Sequence, residues 1–116
     1  MNSKYKKYIE YIASDIELPY LKSLEQYGLK QDEMVMVLSK VFNQPVTIRN
    51  NRVYNTNGNE IYFEYSYGDW VKREYDINGK LIYSENSNGN WYKREYDTNG
   101  NEIYRERSDG VIIDNR

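Results

Sequence analysis

The run YDINGKLIYSENSNGNWYKRE, residues 75–95, decides the fold, because an imperfect copy of it lies on either side. YNTNGNEIYFEYSYGDWVKRE precedes it and YDTNGNEIYRERSDGVIIDNR follows it, so Tyr54, Tyr75 and Tyr96 recur every 21 residues. A fixed period with two turn signals per copy marks a repeat architecture in which each unit buries surface against its neighbours. Apolar residues alternate within each copy, which is the period of a strand. Asn57-Gly58, Asn78-Gly79 and Asn99-Gly100 predict hairpins through type I′ turns, which need positive φ at both central residues. Pairing across the second turn sets Tyr75 opposite Ile82, Glu74 opposite Tyr83, Arg73 opposite Ser84 and Lys72 opposite Glu85. Three-residue return loops at Tyr67-Gly68-Asp69 and Asn88-Gly89-Asn90 keep side-chain parity along the sheet. Six antiparallel strands are predicted, with Val111-Ile112-Ile113 as a short seventh.

Columns read across that sheet separate two faces. One carries the alternating row Tyr54, Ile61, Tyr75, Ile82, Tyr96 and Ile103, beside Arg52, Phe63, Arg73, Ser84, Arg94 and Arg105. The other carries the Glu/Lys row Glu64, Lys72, Glu85, Lys93 and Glu106, with Tyr62, Tyr83, Tyr104, Trp70 and Trp91 alongside. Opposite charges across strands contribute roughly 0.2–1 kcal/mol per pair and help to set register. The Tyr/Ile row is expected to pack on the helices, leaving the Glu/Lys row in water.

Those helices are predicted in the first 44 residues. Tyr5, Tyr8, Ile9, Ile12 and Ile16 fall at helical spacing. Pro19 suits a first turn, Leu18, Leu21 and Leu24 continue the pattern, and Gly28 is a natural stop. A third helix is expected to start near Asp32 and Glu33, with Met34, Val35, Leu38, Val41 and Phe42 on its buried face. The spacing around Gly28 also suggests a helix-turn-helix, but Asp32-Glu33 would open its recognition helix with the wrong charge for a major groove. The predicted fold is α+β: a single domain, 1–116, with a helical head at 1–44 and a twisted antiparallel β-meander at 46–116.

Composition narrows the function classes. The chain has 116 residues, 14 of them tyrosine, a mean hydropathy of −0.98, a net charge of −2, and neither cysteine nor histidine. Disulfides and thiolate zinc sites are thereby excluded, along with the usual general base. The basic opening is interrupted by Glu10, Asp15 and Glu17, so neither a secretory signal nor a membrane span is expected. A cytoplasmic location follows as the default expectation. All seven arginines lie beyond residue 48.

REYDINGKLIY (73–83) and REYDTNGNEIY (94–104) resemble the YD repeats of RHS-type and wall-associated bacterial proteins, in which Tyr-Asp leads into a glycine turn. The resemblance spans residues 52–110; the first copy departs from it with Tyr54-Asn55. NGNWYKREYDTNG (88–100) is also similar to the aromatic cell-wall-binding repeats of choline- and glucan-binding proteins, without their Gly-Trp opening. Both imply β-hairpin repeats. A helical head on a Tyr- and Asn-rich sheet further resembles, in general style, accessory proteins of phages and mobile elements, including anti-CRISPR-like inhibitors of defence systems. That likeness implies a bacterial protein partner, such as a nucleic-acid-handling complex, met inside a bacterial or phage-infected cell.

Two sharper chemistries do not fit the residue pattern. Asp97-Thr98-Asn99-Gly100-Asn101-Glu102 opens like a calcium loop, but its glycine and distal acid are misplaced. Pairs such as Glu74/Glu85 and Glu95/Glu106 suit glycosidase chemistry only inside a cleft. No catalysis, metal or cofactor is therefore expected. The candidate binding residues are Arg52, Arg73, Arg94 and Arg105, which grip anions or simply pair with helix acids such as Glu10 and Asp15. To these are added Trp70 and Trp91 with Tyr62, Tyr83 and Tyr104 as aromatic anchors. The function expected is a non-catalytic protein-binding module; carbohydrate binding on the tryptophans and nucleic-acid binding through the arginines are the alternatives. A homodimer through an open edge strand is also considered.

Overall fold

The computed structural model describes residues 6–116 as three helices followed by one eight-stranded antiparallel sheet. Helix α1 spans Lys6–Asp15, α2 spans Tyr20–Leu24 and runs into a 3-10 turn at Glu25–Tyr27, and α3 spans Gln31–Val41. Ile9, Ile12 and Ile16 are buried as their spacing predicts; Tyr8 is exposed and Tyr5 lies outside the described residues. Gly28 takes the left-handed conformation (φ 58°) that ends the second helical segment. At the start of α3 the Glu33 carboxylate accepts the Lys30 N–H at 2.9 Å. Val37 joins Leu38 at the centre of that helix's buried face, whereas Met34, Val35, Val41 and Phe42 are half-buried around them. Among the described residues no helix is long and apolar enough to cross a membrane.

The strands are β1 (Thr47–Arg49), β2 (Arg52–Tyr54), β3 (Glu60–Glu64), β4 (Trp70–Tyr75), β5 (Leu81–Asn86), β6 (Trp91–Tyr96), β7 (Glu102–Arg107) and β8 (Ile112–Asp114). They pair strictly in chain order. Eight strands replace the six or seven predicted. The addition is β1, which precedes the repeats and turns into β2 through Asn50, held at φ 55° without a glycine.

Six turns share one design, and it is not type I′. In the first, Gly58 N–H donates to Asn55 C=O (3.0 Å) and Asn55 N–H donates to Asn59 C=O (2.9 Å). Only the glycine has positive φ (82°), which matches a type I turn closed by a glycine bulge, one residue longer than predicted. Asn55 Oδ1 accepts the N–H groups of Asn57 and Asn59. Asp76, Asn86 and Asp97 do the same in their own turns. The extra loop residue is compensated within the strand. Glu74 faces Tyr83 as predicted, but Tyr75 faces Leu81 and Ile82 is bulged out of the ladder. The same shift recurs at Ile61 and Ile103. At the first two bulges the anchor tyrosine of the next copy bonds a backbone carbonyl, and at the third the Asn115 N–H donates to Ile103 C=O (2.8 Å). Tyr75 Oη donates to Glu60 C=O (2.8 Å) and Tyr96 Oη to Leu81 C=O (3.2 Å).

These turns carry a pH signature. Backbone N–H bonds, led by that of Asn101, hold the Asp97 carboxyl below its ordinary 3.8. A depressed folded value contributes stability above the unfolded value and loses it as pH falls through the folded one. Asp97→Asn keeps the acceptor, as Asn55 and Asn86 demonstrate. Thermal melts of this variant should match the parent at pH 7 and fall less than the parent's below about pH 4. An equal acid-side loss in both proteins would reject this role for Asp97.

The helices pack on the face opposite to the one expected. Tyr62, Val53 and Glu64 point into the helical head, while Arg52, Phe63 and Arg73 lie on the far side. Ile61 still reaches the core, because the bulge places it beside Tyr62 and sends Glu60 to the arginine side. The buried core combines Ile9, Ile12, Leu24, Val37 and Leu38 with Ile48, Val53, Ile61 and Tyr62, and no residue of β5–β8 belongs to it. The head therefore covers one end of a sheet in a molecule 52 Å long. Strands β5–β8 continue past it as a single layer.

Candidate protein-binding face of the repeat sheet

The helix-side face is built from a Tyr-x-Glu pair in each repeat. In the first, Tyr62 Oη donates to Glu64 Oε2 (2.6 Å) and accepts the Tyr20 N–H (2.9 Å). Glu64 accepts the N–H of Leu21 through Oε2 and that of Lys22 through Oε1 (3.0 Å). These are the first free donors of α2, whose N-cap, Pro19, makes no side-chain cap hydrogen bond. A carboxylate at the positive end of the helix thus does the work of a cap supplied from the sheet. Burial, then the bond to Glu64, pushes the Tyr62 phenol far above its ordinary pKa. The Tyr20 ring rests on Tyr62 with centroids 5.4 Å apart and on Phe42 at 5.7 Å.

Twenty-one residues later the same pair recurs. Tyr83 Oη donates to Glu85 Oε1 at 3.2 Å, and in the third copy Tyr104 donates to Glu106 at 2.8 Å. Burial and the neighbouring glutamate raise the Tyr83 phenol pKa. Lys72 stands opposite Tyr62 and Glu85, and Lys93 opposite Tyr83 and Glu106. The lysines nevertheless turn to the tryptophans. Lys72 Nζ lies 5.4 Å from the Trp70 ring and Lys93 Nζ 5.3 Å from the Trp91 ring, within cation–π range. Glu85 and Glu106 are thus bonded to tyrosines rather than paired with the lysines across from them. The third copy differs: Ile112 and Asp114 replace tryptophan and lysine, and the Arg116 guanidinium covers Tyr104 at 4.0 Å.

On the far face the arginines find acids, though on the sheet rather than the helices. Glu10 pairs with Lys40 and Asp15 accepts the Tyr27 hydroxyl. Glu60, turned outward by its bulge, bonds both Arg52 and Arg73 (3.2 Å for Arg73). Glu102 takes Arg105 through both oxygens (2.8 and 2.9 Å), with Arg94 Nε 3.7 Å away. Arg105, then Arg94, hold the Glu102 carboxyl below its usual range. Arg94 also stacks on Tyr92 (4.7 Å), while Arg52 and Arg73 lie over Phe63.

Arg94 faces Arg105 directly, so Glu102 is what makes that pairing tolerable. Glu102→Leu should lower stability by about 1 kcal/mol at low ionic strength and by less in molar salt. Adding Arg105→Ser, which copies the Arg73–Ser84 pair of the second repeat, should restore most of the loss. Urea titrations at two salt concentrations read both effects. A salt-independent loss would point to packing instead.

Of the nine sequence-selected residues, the structure divides eight between two faces and withdraws one. Arg52, Arg73, Arg94 and Arg105 form the far row; Trp70, Trp91, Tyr83 and Tyr104 form the helix-side row. Tyr62 is fully buried and holds α2 instead. Glu64 as a helix anchor, and Glu60 and Glu102 as arginine partners, do not follow from the residue pattern of the sheet. The first had a signal, since Leu18-Pro19-Tyr20 opens a helix with no Ser, Thr, Asp or Asn at its cap. Asp97 uses Oδ1 on its own turn, and among the described residues no three acidic side chains gather closely enough to hold a metal ion. No family model matches the chain, and neither does any curated protein or solved structure.

Proposed function

We propose that this chain is a non-catalytic protein-binding module, of the kind phages and mobile elements use to inhibit or redirect a bacterial protein complex in the cytoplasm. Its working surface is the helix-side face of β5–β7, centred on Trp91 and Tyr83. One observation carries the reading. The head covers only the β1–β4 end, so an aromatic face built like the one that seats α2 continues beyond it uncovered. Half-buried aromatics beside charged groups have the composition of interface hot spots. Two features weigh against the alternatives. A sugar ring needs an open tryptophan face, and Lys93 occupies the vicinity of Trp91. Phosphate binding needs unpaired arginines, and Glu60 and Glu102 bond Arg52, Arg73 and Arg105, with the Glu102 charge 3.7 Å from Arg94 Nε.

The test is affinity capture from bacterial lysate with and without nuclease, read by mass spectrometry. Parent, Trp91→Ala/Lys93→Ala and Arg73→Ala/Arg94→Ala proteins are compared after each is shown to fold. A single protein partner that survives nuclease and is lost only in the Trp91/Lys93 variant is the expected result. Retention on cell-wall glycan, or on nucleic acid with a steep salt dependence, would overturn the proposal.

A further inference from the structure

The filled and uncovered copies of one motif sit side by side, and the filled copy shows what such a site accepts. Around Glu64 the elements are a Tyr-x-Glu pair, a tryptophan opposite the glutamate, and a lysine opposite the tyrosine that leans on the tryptophan. Around Glu85 all four recur: Tyr83 with Glu85, Trp91 opposite Glu85, and Lys93 opposite Tyr83 with its ammonium over Trp91. Glu85 Oε1 accepts the Tyr83 hydroxyl, and Oε2 takes no hydrogen bond from the described residues. The third repeat lacks the tryptophan and lysine and is covered by Arg116. Only the second repeat therefore carries the whole set without a helix on it.

We propose that Tyr83, Glu85 and Trp91 form a second dock for a helix N-terminus, which takes the first turn of an α-helix on the partner protein. This rests on the protein-binding reading above and names its ligand: two or three consecutive backbone N–H groups behind an uncharged N-cap, led by an aromatic residue. Tyr83 Oη and Glu85 Oε2 accept those donors as Tyr62 and Glu64 accept the donors of Tyr20, Leu21 and Lys22. The Glu85 charge meets the positive end of the helix. Spacing fits as well. β3 and β5 are two strands apart, about 9.6 Å at the usual inter-strand distance, and packed helices lie about 8–10 Å apart. A helix seated on Glu85 would thus run beside α2 at ordinary packing distance. A groove of about 320 Å³ already lies on this side of the head, walled by Tyr20 of α2 and by Val41 and Phe42 at the end of α3, with Tyr83 and Glu85 at its far side.

The chain itself supplies the probe. A peptide of residues 16–28, IELPYLKSLEQYG, is prepared with Gln26 changed to Glu and bridged to Lys22 as a lactam, so that its helix is preformed. It is titrated into the isotope-labelled full chain and followed by NMR. The expected result is a saturable shift of the Trp91 indole N–H and the Tyr83 and Glu85 amides, with the Trp70 indole unmoved. Glu85→Gln, which replaces the charged acceptor by a neutral amide, and Tyr83→Phe, which removes an acceptor, should each weaken binding about fivefold. A peptide with Pro19→Asp, whose own N-cap carboxylate satisfies the same N–H groups, should bind about tenfold more weakly. No shift, shifts confined to Trp70 and the helical head, or unchanged affinity in Glu85→Gln would each overturn the dock. The two proposals fail separately. A captured partner that still binds the Glu85→Gln protein removes the dock and leaves the protein-binding reading, whereas capture of no protein removes that reading and the peptide alone judges the dock.

Discussion

Glu64→Leu is expected to destabilise the protein by about 3 kcal/mol, a large fraction of what a domain of this size has. The carboxylate is buried at 8 % exposure and accepts the Tyr62 hydroxyl and the N–H groups of Leu21 and Lys22. Leucine fills the volume and accepts nothing, and each buried donor left without a partner costs about 1–3 kcal/mol. Undocking α2 would return the donors to water but would also release Leu24, which is 1 % exposed in the core. Either route is expensive. Glu64→Gln keeps one acceptor oxygen and should cost about half as much, because its amide group opposes a donor. Tyr62→Phe removes the acceptor of the Tyr20 N–H and should cost about 1–2 kcal/mol. The double variant should cost less than the two single losses added together, since both residues serve one network. Urea unfolding gives the energies, and amide exchange at Tyr20, Leu21 and Lys22 locates the damage. A loss below about 0.5 kcal/mol with exchange unchanged would mean that the pair does not hold the helix.

The repeat is therefore used unequally. A unit that stacks copies needs cross-strand contacts that close on themselves, and the charged and aromatic side chains provide these: Tyr with Glu, Lys with Trp, Arg with a bulge acid. Such contacts let β5–β8 persist as a single layer, where a conventional sheet would need a second layer to bury an apolar face. The first repeat spends the same groups differently. There the tyrosine and glutamate are turned from a lateral pair into a seat for a helix, with Ile61, Val53 and Ile48 supplying apolar area around it.

Much of this was legible in the residues. The 21-residue period, the hairpin sites, the distant pairs Arg73–Ser84 and Lys72–Glu85, and the helical head all follow from spacing and turn chemistry. The near pair Tyr75–Ile82 was not, because Asn-Gly predicts a two-residue turn and nothing in the pattern announces the bulge that absorbs a third residue. That one bulge decides more than local register. It moves each isoleucine to the face opposite the arginines and brings Glu60 and Glu102 among them, so a strict alternation wrongly puts the isoleucines and the arginines on one face. The choice of face was hard for a second reason. Both sides carry aromatic rings among charges, and what breaks the tie is an uncapped helix seeking an acceptor, a need that belongs to residues 19–22 rather than to the sheet.

Replacing the three repeat-equivalent isoleucines by alanine should give unequal losses: about 3 kcal/mol for Ile61 and about 1 kcal/mol for Ile82 or Ile103. Each is the bulged residue after the same turn, and each is followed by a tyrosine of a Tyr-x-Glu pair. Their backbones are equivalent, so propensity and turn strain cancel in the comparison. What differs is cover. Ile61 is 4 % exposed beneath the helical head, whereas the other two are half-buried on strands that contribute nothing to the buried core. Truncating Ile61 leaves a cavity walled by packed helices that can relax only in part, which is the costly case. Truncating the others removes apolar contact beside water, which can fill the gap. Urea midpoints with unchanged slopes measure the three losses on one scale. Equal losses would mean that the helices do not bury this side of the sheet, and the Tyr/Glu seat would lose its structural basis with it. The predicted inequality also bears on function: Ile82 immediately precedes Tyr83 of the dock, so a partner helix settling there should protect Ile82 and raise the cost of its truncation in the complex toward that of Ile61.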